Sequence, residues 1–209
     1  MNRTPLPAMF FERIDSSPDA LFYAGPRFVT HIDDATRAAL TAYYASVLTA
    51  GADVLDLMSS WVSHLPPTPV LGRVAGLGMN AAELAANARL SDWVVHDLND
   101  APWLPYQPAQ FDCVFIAVSV QYLIHPLQVF ADIARVLRAG GVLAVSLSHR
   151  CFPTKAIRAF HSPRAEDRLR LASEYIERVA GFSAVRVLDR SPPGADPLWI
   201  VEARRATTL

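Results

Sequence analysis

The sequence predicts an α/β fold built on a doubly wound, mainly parallel sheet. Three observations predict it. Short apolar runs alternate with segments of helical spacing along most of the 209 residues, as when strands are joined by crossover helices. One run, FDCVFIAVS at 111–119, is almost continuously apolar, as in a strand covered on both faces. The last two apolar runs, at 184–188 and 198–203, have no helical segment between them and should pair antiparallel.

In chain order, residues 1–30 are irregular. Pro5, Pro7, Pro18, Gly25 and Pro26 break any period, yet Phe10, Phe11, Leu21, Phe22, Tyr23 and Phe28 argue against a disordered tail. A cover segment over 1–32 and one domain over 33–209 are expected. A helix should begin at Asp33, with acids at its start, and end before Gly51. Strands are expected at 53–57, 73–77, 93–95, 111–119, 142–146, 184–188 and 198–203, which makes seven. Helices are expected at 81–88, at 126–138 opening with Pro126, at 154–160 and at 164–180. Gly140-Gly141 should close the second of these.

Composition excludes several function classes. The chain is 52% apolar and 19% charged, with a net charge of -1, so nothing electrostatic points to nucleic acid or an anionic membrane. The apolar run near 114–124 falls short of the ~20 residues a membrane helix needs. The N-terminus lacks the apolar core of a secretory signal. Cys113 and Cys151 make neither a disulfide framework nor a metal-ligand spacing. A cytoplasmic, metal-free monomer or homodimer is expected, with a small-molecule partner and no nucleic acid or membrane partner.

The stretch DVLDLMSSWVSHLP at 53–66 organises the rest. It puts an acid, Asp56, at the end of a buried strand, where ligands of open α/β sheets sit. A buried carboxylate needs a partner. Asp56 either meets a cationic ligand group or caps the next helix. A second signal, Gly76-Leu77-Gly78-Met79-Asn80-Ala81, fits the G-x-G-x-x-A fingerprint, with Asp97 near the offset of a ribose-binding acid. That alone would suggest an NAD(P)-dependent oxidoreductase. However, the strand feeding this turn is the second, and the downstream pattern is not a second mononucleotide half.

The downstream half carries another series: Asp97, then LPY at 104–106, FD at 111–112, RVLR at 135–138, and Gly140-Gly141 before VLAVS. This resembles the class I S-adenosylmethionine-dependent methyltransferases, of the methyltransferase-11-like kind, over roughly residues 53–146. A narrower similarity runs through nearly the whole chain. PRFVTHIDD, VLDLMSSWVSHLP, GLGMNAAEL, DLN, VSVQYL and SHRCFPTKA look like an uncharacterised methyltransferase-like subgroup.

The resemblance implies a Rossmann-like seven-stranded sheet with an antiparallel last strand, and S-adenosylmethionine (SAM) as cofactor. Asp56 would hold the methionine ammonium as a charge-assisted contact. The family's glycine-rich turn is replaced by Met58-Ser59-Ser60-Trp61, which removes the glycines that let backbone approach a ligand. Gly78 stands where the family has its ribose-binding acid. Met79 follows, and Asn80 would either take the ribose role or cap the next helix. Asp97 would receive the adenine amino group, with Leu98 and Asn99 beside the ring. Val118 and Ser119 would lie against the methionine moiety.

Methyl transfer from a sulfonium needs mainly alignment, and a base only for a protonated acceptor. His31, Tyr122 and His149 are the candidates, with His64 after the first turn. Arg150 and Lys155 would hold an anionic acceptor or lie on a solvated helix entry. A methyltransferase-like ligand-binding or protein-interaction module without catalysis is the alternative to a methyltransferase.

Overall fold

The computed structural model describes residues 4–207; residues 1–3 of the expected cover and residues 208–209 lie outside the described part. The seven expected strands form β1 (Val54–Ser59), β2 (Val74–Gly78), β3 (Asp92–Val95), β4 (Phe111–Ala117), β5 (Leu137–Leu147), β6 (Phe182–Asp189) and β7 (Trp199–Arg205). They make one sheet in the order β3-β2-β1-β4-β5-β7-β6. β1 pairs parallel with β2 and with β4, so the strand order reverses between β1 and β4. The crevice for a ligand opens at their carboxyl ends. β7 pairs antiparallel with both β5 and β6.

The helices are α1 (Asp19–Phe22), α2 (Asp34–Val47), α3 (Ala81–Ala86), α4 (Pro126–Val136) and α5 (Ala165–Glu177). Asp33 caps α2 by accepting from the Thr36 amide at 2.8 Å, a normal use of Asp at this position. Strand periodicity divides the core between two faces. Val54, Cys113, Phe115 and Ala144 pack with Leu40, Tyr43 and Tyr44 of α2. Leu55, Leu57, Val114, Ile116 and Val145 pack with Phe130 and Ile133 of α4 and Tyr175 of α5. Tyr44 stacks on Phe115, with ring centroids 4.1 Å apart.

The LPY, FD and RVLR residues clasp the amino end of the sheet and the base of α4. Arg135 donates to the carbonyls of Leu104 (2.9 Å) and Tyr106 (2.7 Å). Arg138 bridges Asp112 at 2.6 Å and Asp53 at 2.9 Å. These residues hold the frame, away from the crevice.

Two expectations are corrected. Gly140 and Gly141 do not end a helix. α4 stops at Val136, and β5 runs through both glycines, with Gly140 at φ +77° and a register shift against β4. Residues 154–160 are not helical; only a short 3-10 turn, Arg158–His161, forms there. Backbone bonds to distant segments hold this stretch, from the Ile157 amide to the Gln121 carbonyl and from the Arg158 amide to the Glu12 carbonyl.

The N-terminal segment is tied down by buried ionic contacts. Arg13 pairs with Asp19 at 2.7 Å, with both side chains under 10% exposed. Lys155, fully buried, lies 3.1 Å from Asp19 and 3.2 Å from Asp15, and donates to the Ser17 carbonyl at 2.7 Å. Breaking such a network strands a charge in the interior. No helix among the described residues is long and apolar enough to cross a membrane.

Among the glycines, the one with least room for a side chain lies beside the crevice. β1 shifts register between Leu57 and Ser59, and the bulged residue, Met58, sits at φ +60°. The bulge presses the Ser59 carbonyl against Gly78, where an added Cβ would lie only 2.2 Å from that oxygen. Gly25, by contrast, has nothing within 4 Å of its Cβ position. Gly78→Ala should therefore cost ~1–3 kcal/mol in urea denaturation, as overpacking does. Gly25→Ala should stay within ~0.5 kcal/mol; equal stability of the two variants would contradict the close approach.

Candidate functional site

A cavity opens where the carboxyl ends of β1, β2 and β4 meet the loop after β3, with the N-terminal segment as its outer wall. Asp56, Met58, Ser59 and Ser60 line it from β1 and its turn. Gly78, Met79 and Asn80 line it from the end of β2. Asp97, Leu98 and Asn99 come from the loop after β3, and Val118 and Ser119 from the end of β4. The structure thus brings all twelve expected cofactor positions to one space.

Asp56 is 3% exposed. Its Oδ2 accepts hydrogen bonds from Ser59 Oγ (2.5 Å) and Ser63 Oγ (2.6 Å). Asn87 Nδ2 donates to Ser63 Oγ and to the Ser60 carbonyl, at 2.7 and 2.8 Å. Ser59, inside the turn that lacks the glycines, and Ser63 beyond it therefore hold the acid, and Asn87 ties Ser63 to the turn backbone. Oδ1 of Asp56 has no hydrogen-bond partner among the described residues. Burial pushes the Asp56 carboxyl up to about 6, and the two serine hydroxyls pull it partly back. Three residues that line the cavity sit at positive φ without being glycine, Met58 (+60°), His64 (+54°) and Val118 (+44°). Such backbone is unfavourable, above all for a β-branched residue.

At the end of β2 the polar groups are already engaged. Asn80 Oδ1 accepts from the amides of Ala82 and Glu83, capping α3. Its Nδ2 donates to the carbonyls of Tyr23 and Ala24 in the N-terminal segment. Gly76 and Gly78 are strand residues in close contact: added Cβ atoms would meet Leu90 and the Ser59 carbonyl. Both glycines thus serve tight packing of β2.

In the loop after β3, Asp97 Oδ1 accepts from the Asn99 amide at 2.8 Å. Asn99 donates to Asp19 and to the Tyr122 carbonyl, and accepts from the Ile124 amide. It links the loop after β3 to the cover and to the segment after β4 rather than facing the cavity freely. Ser119 Oγ is buried with no partner.

The cover contributes Asp19, Tyr23, Arg27 and His31 to the cavity wall. Burial lowers the His31 pKa below its ordinary value, so the ring is neutral at pH 7. His64 also lines the cavity, and burial pushes it down to about 4. Tyr122 reaches the cavity as well, but its hydroxyl accepts from the Phe152 amide at 2.8 Å, and burial pushes its pKa up to about 12. That phenol stays protonated and cannot act as a base at neutral pH.

His149, Arg150 and Lys155 are not brought to the cavity. Arg150 pairs with Asp196 at 2.7 Å, and His149 Nε2 lies 3.3 Å from the same carboxylate. Lys155 anchors the cover instead of an acceptor, because Asp15, Ser17 and Asp19 surround its ammonium. Cys113 is a core thiol pushed up to about 12 by burial. Cys151 is exposed, and burial of its thiol raises its pKa as well, so neither is activated. Among the described residues, no cluster of His, Cys, Asp or Glu could hold a metal.

The sequence reading missed Asp19, Tyr23, Arg27, Glu83 and Phe152. The one local signal was Asn80-x-x-Glu83, a capping-box pattern. Here the Glu83 side chain accepts instead from the Arg27 amide (2.7 Å) and Ser60 Oγ (2.5 Å).

Residues 62–145 match the family model of the methyltransferase domain. The chain is 31% identical over 141 residues to the methyltransferase GfsG of Streptomyces halstedii, a match over 63% of this chain and 46% of that protein. It thus spans about half the length of that curated relative. The chain has the class I methyltransferase fold, and within it residues 62–145 are similar to the methyltransferase domain family. Its fold is shared with an S-adenosylmethionine-dependent methyltransferase from Mesorhizobium loti (TM-score 0.56, 18% identity, 80% of this chain and 98% of that one). It is shared too with the [4+2]-cyclase SpnF (TM-score 0.62, 19% identity, 88% and 90%). The cofactor that goes with the superfamily is SAM. The residues present fit its two ends: Asp56 and Ser119, whose hydroxyl has no partner among the described residues, line the cavity at one end, and Asp97 lines it beside buried Leu98 at the other. The superfamily's ribose acid is absent at Gly78.

The raised Asp56 pKa has a measurable sign. An acid whose folded pKa exceeds its unfolded value of ~3.9 binds extra protons in the folded state. Its contribution to stability is fully present below about pH 4 and is lost as pH rises through about 6. Ligand-free protein should therefore lose on the order of 2–3 kcal/mol relative to Asp56→Asn between pH 4 and pH 7. Urea denaturation curves with the same pH dependence for both proteins would show that Asp56 is not buried as described.

Proposed function

We propose that this protein transfers a methyl group from SAM to a small-molecule acceptor. The observation that carries the reading is Asp56: a buried carboxylate on the cavity wall at the switch point, hydrogen-bonded through one oxygen only and with no ion pair among the described residues. A ligand ammonium would supply that cation. The matched methyltransferase domain and the relative named a methyltransferase support the same reading.

In this account SAM supplies an activated methyl on a sulfonium. Asp56 holds the ammonium, and Ser119 Oγ hydrogen-bonds the same end of the ligand. Asp97 accepts from the adenine amino group, and the Leu98 amide donates to the ring. The cover excludes water, with Tyr23, Phe152 and Tyr122 forming an aromatic wall on the acceptor side; Tyr122 and Phe152 are 5.8 Å apart. His31, neutral at pH 7, takes the proton from an acceptor hydroxyl or amine. His149, Arg150 and Lys155 have no role in this scheme. The enclosed apolar wall suits a small acceptor.

A second reading keeps the ligand but not the transfer: a binding module, or another chemistry on the same fold. Two observations favour it. Gly78 has no room for the ribose acid, and a structural neighbour at TM-score 0.62 is named a cyclase. An oxidoreductase has less support, since Gly76 and Gly78 lie inside β2 rather than in a phosphate-binding turn.

Thermal melting with SAM or S-adenosylhomocysteine should rise, and melting with NADH or NADPH should not. Ligand at ~100 times its dissociation constant adds ~2.7 kcal/mol. Asp97→Asn keeps an oxygen for the Asn99 amide, so its fold should hold, yet its affinity for S-adenosylhomocysteine should fall by roughly one to two decades. Asp100→Asn, at an exposed position, should change little. Equal affinities in the two variants would remove Asp97 from the site, and a rise with NADH alone would replace the cofactor. Bound SAM with no methylated product from a panel of small acceptors would favour the module.

A further inference from the structure

Four carboxylates line the cavity: Asp19, Asp56, Glu83 and Asp97. Asp19 is held by Arg13, Lys155 and Asn99. Asp56 and Asp97 serve the two ends of the cofactor in the reading above. Glu83 remains, and nothing so far gives it a ligand.

Its surroundings point to one. Glu83 is 9% exposed and projects from the first turn of α3, next to the end of β2 that the superfamily uses for the ribose. No ion pair engages it among the described residues. Each oxygen accepts a single hydrogen bond, Oε1 from the Arg27 amide and Oε2 from Ser60 Oγ. A carboxylate oxygen has two acceptor sites, so both oxygens keep one free. The neighbouring candidates are excluded. Gly78 cannot carry a side chain against the Ser59 carbonyl, and all amide groups of Asn80 are engaged.

We infer that Glu83 receives the two ribose hydroxyls of the bound nucleoside, in place of the acid that Gly78 excludes. The carboxylate has moved from the strand end to the helix that follows. Ser60, at a former glycine position, and the Arg27 amide of the cover hold it in place. A pair of hydroxyls meets a pair of oxygens, each contact strengthened by the charge. The inference rests on the SAM reading.

The test is calorimetric binding of S-adenosylhomocysteine and of its 2′,3′-dideoxyribose counterpart. Wild-type protein should prefer the hydroxylated ligand by roughly tenfold or more. Glu83→Gln should bind S-adenosylhomocysteine more weakly and prefer it over the dideoxy ligand by less than about threefold. Melting of each protein without ligand reports its folding. If Glu83→Gln does not fold, Glu83→Asp keeps the charge but shortens the reach, and should lose the same discrimination. A variant that keeps the full preference overturns the inference, as does wild-type protein that binds both ligands equally; in both cases the SAM reading stands. Wild-type protein that binds neither ligand overturns both.

Discussion

Everything at the site follows from a carboxylate that cannot be solvated where it stands. Asp56 lies inside the central strand β1, which continues to Ser59, with β2 and β4 paired on its two sides. Burial there disfavours its charge, and two hydroxyls offset only part of the penalty. The turn after β1 is arranged to supply those hydroxyls. Ser59 and Ser63 bond the acid, and Asn87 bonds Ser63 and the turn backbone. Glycines would give a ligand more backbone but could not solvate the acid. The chain has exchanged close approach for a hydrogen-bonded cradle, and the positive φ of Met58 keeps part of the glycine-turn geometry without the glycine.

The same exchange propagates outward. The bulge at Met58 brings the Ser59 carbonyl against Gly78, so β2 must end in glycine. With no acid at that end, Asn80 is free to cap α3 and to hold the cover by two carbonyls. Trp61 adds a third tie, from its indole N–H to the Val29 carbonyl at 2.9 Å. The cover is therefore fastened to the altered turn on one side and to Lys155 on the other. In the proposed function this cover would shield a bound ligand from water, which strengthens charge interactions at the site.

Much of this was legible in sequence, for local reasons. The central strands β1, β2 and β4 are largely apolar runs whose burial shows as composition, and Asp33, Asn80 and Pro126 mark helix starts through their own chemistry. Asp56 and Asp97 are expected at the crevice because the class I methyltransferase pattern carries acids at those points, and both line the cavity. Long-range contacts were not legible. Lys155 sits beside Arg150 in a loop and reads as solvated, yet its partners lie near residue 17, at a sequence separation of 138. Glu83 reads as a cap because its partners, Arg27 and Ser60, are 56 and 23 residues away. Residues 154–160 have helical composition, but tertiary hydrogen bonds to residues 12 and 121 take their backbone instead. Single-sequence patterns record local preference, and these positions are decided by what the fold brings to them.

The central claim is that the Asp56 carboxylate receives the ammonium of a bound SAM-type ligand. A crystal structure of the protein soaked with S-adenosylhomocysteine tests it most directly. The account predicts the ligand amine within hydrogen-bonding distance of Asp56 Oδ1, with the adenine beside Asp97 and Leu98. A ligand in this cavity with its amine directed elsewhere, or one bound only outside the crevice between β1 and β4, would contradict it.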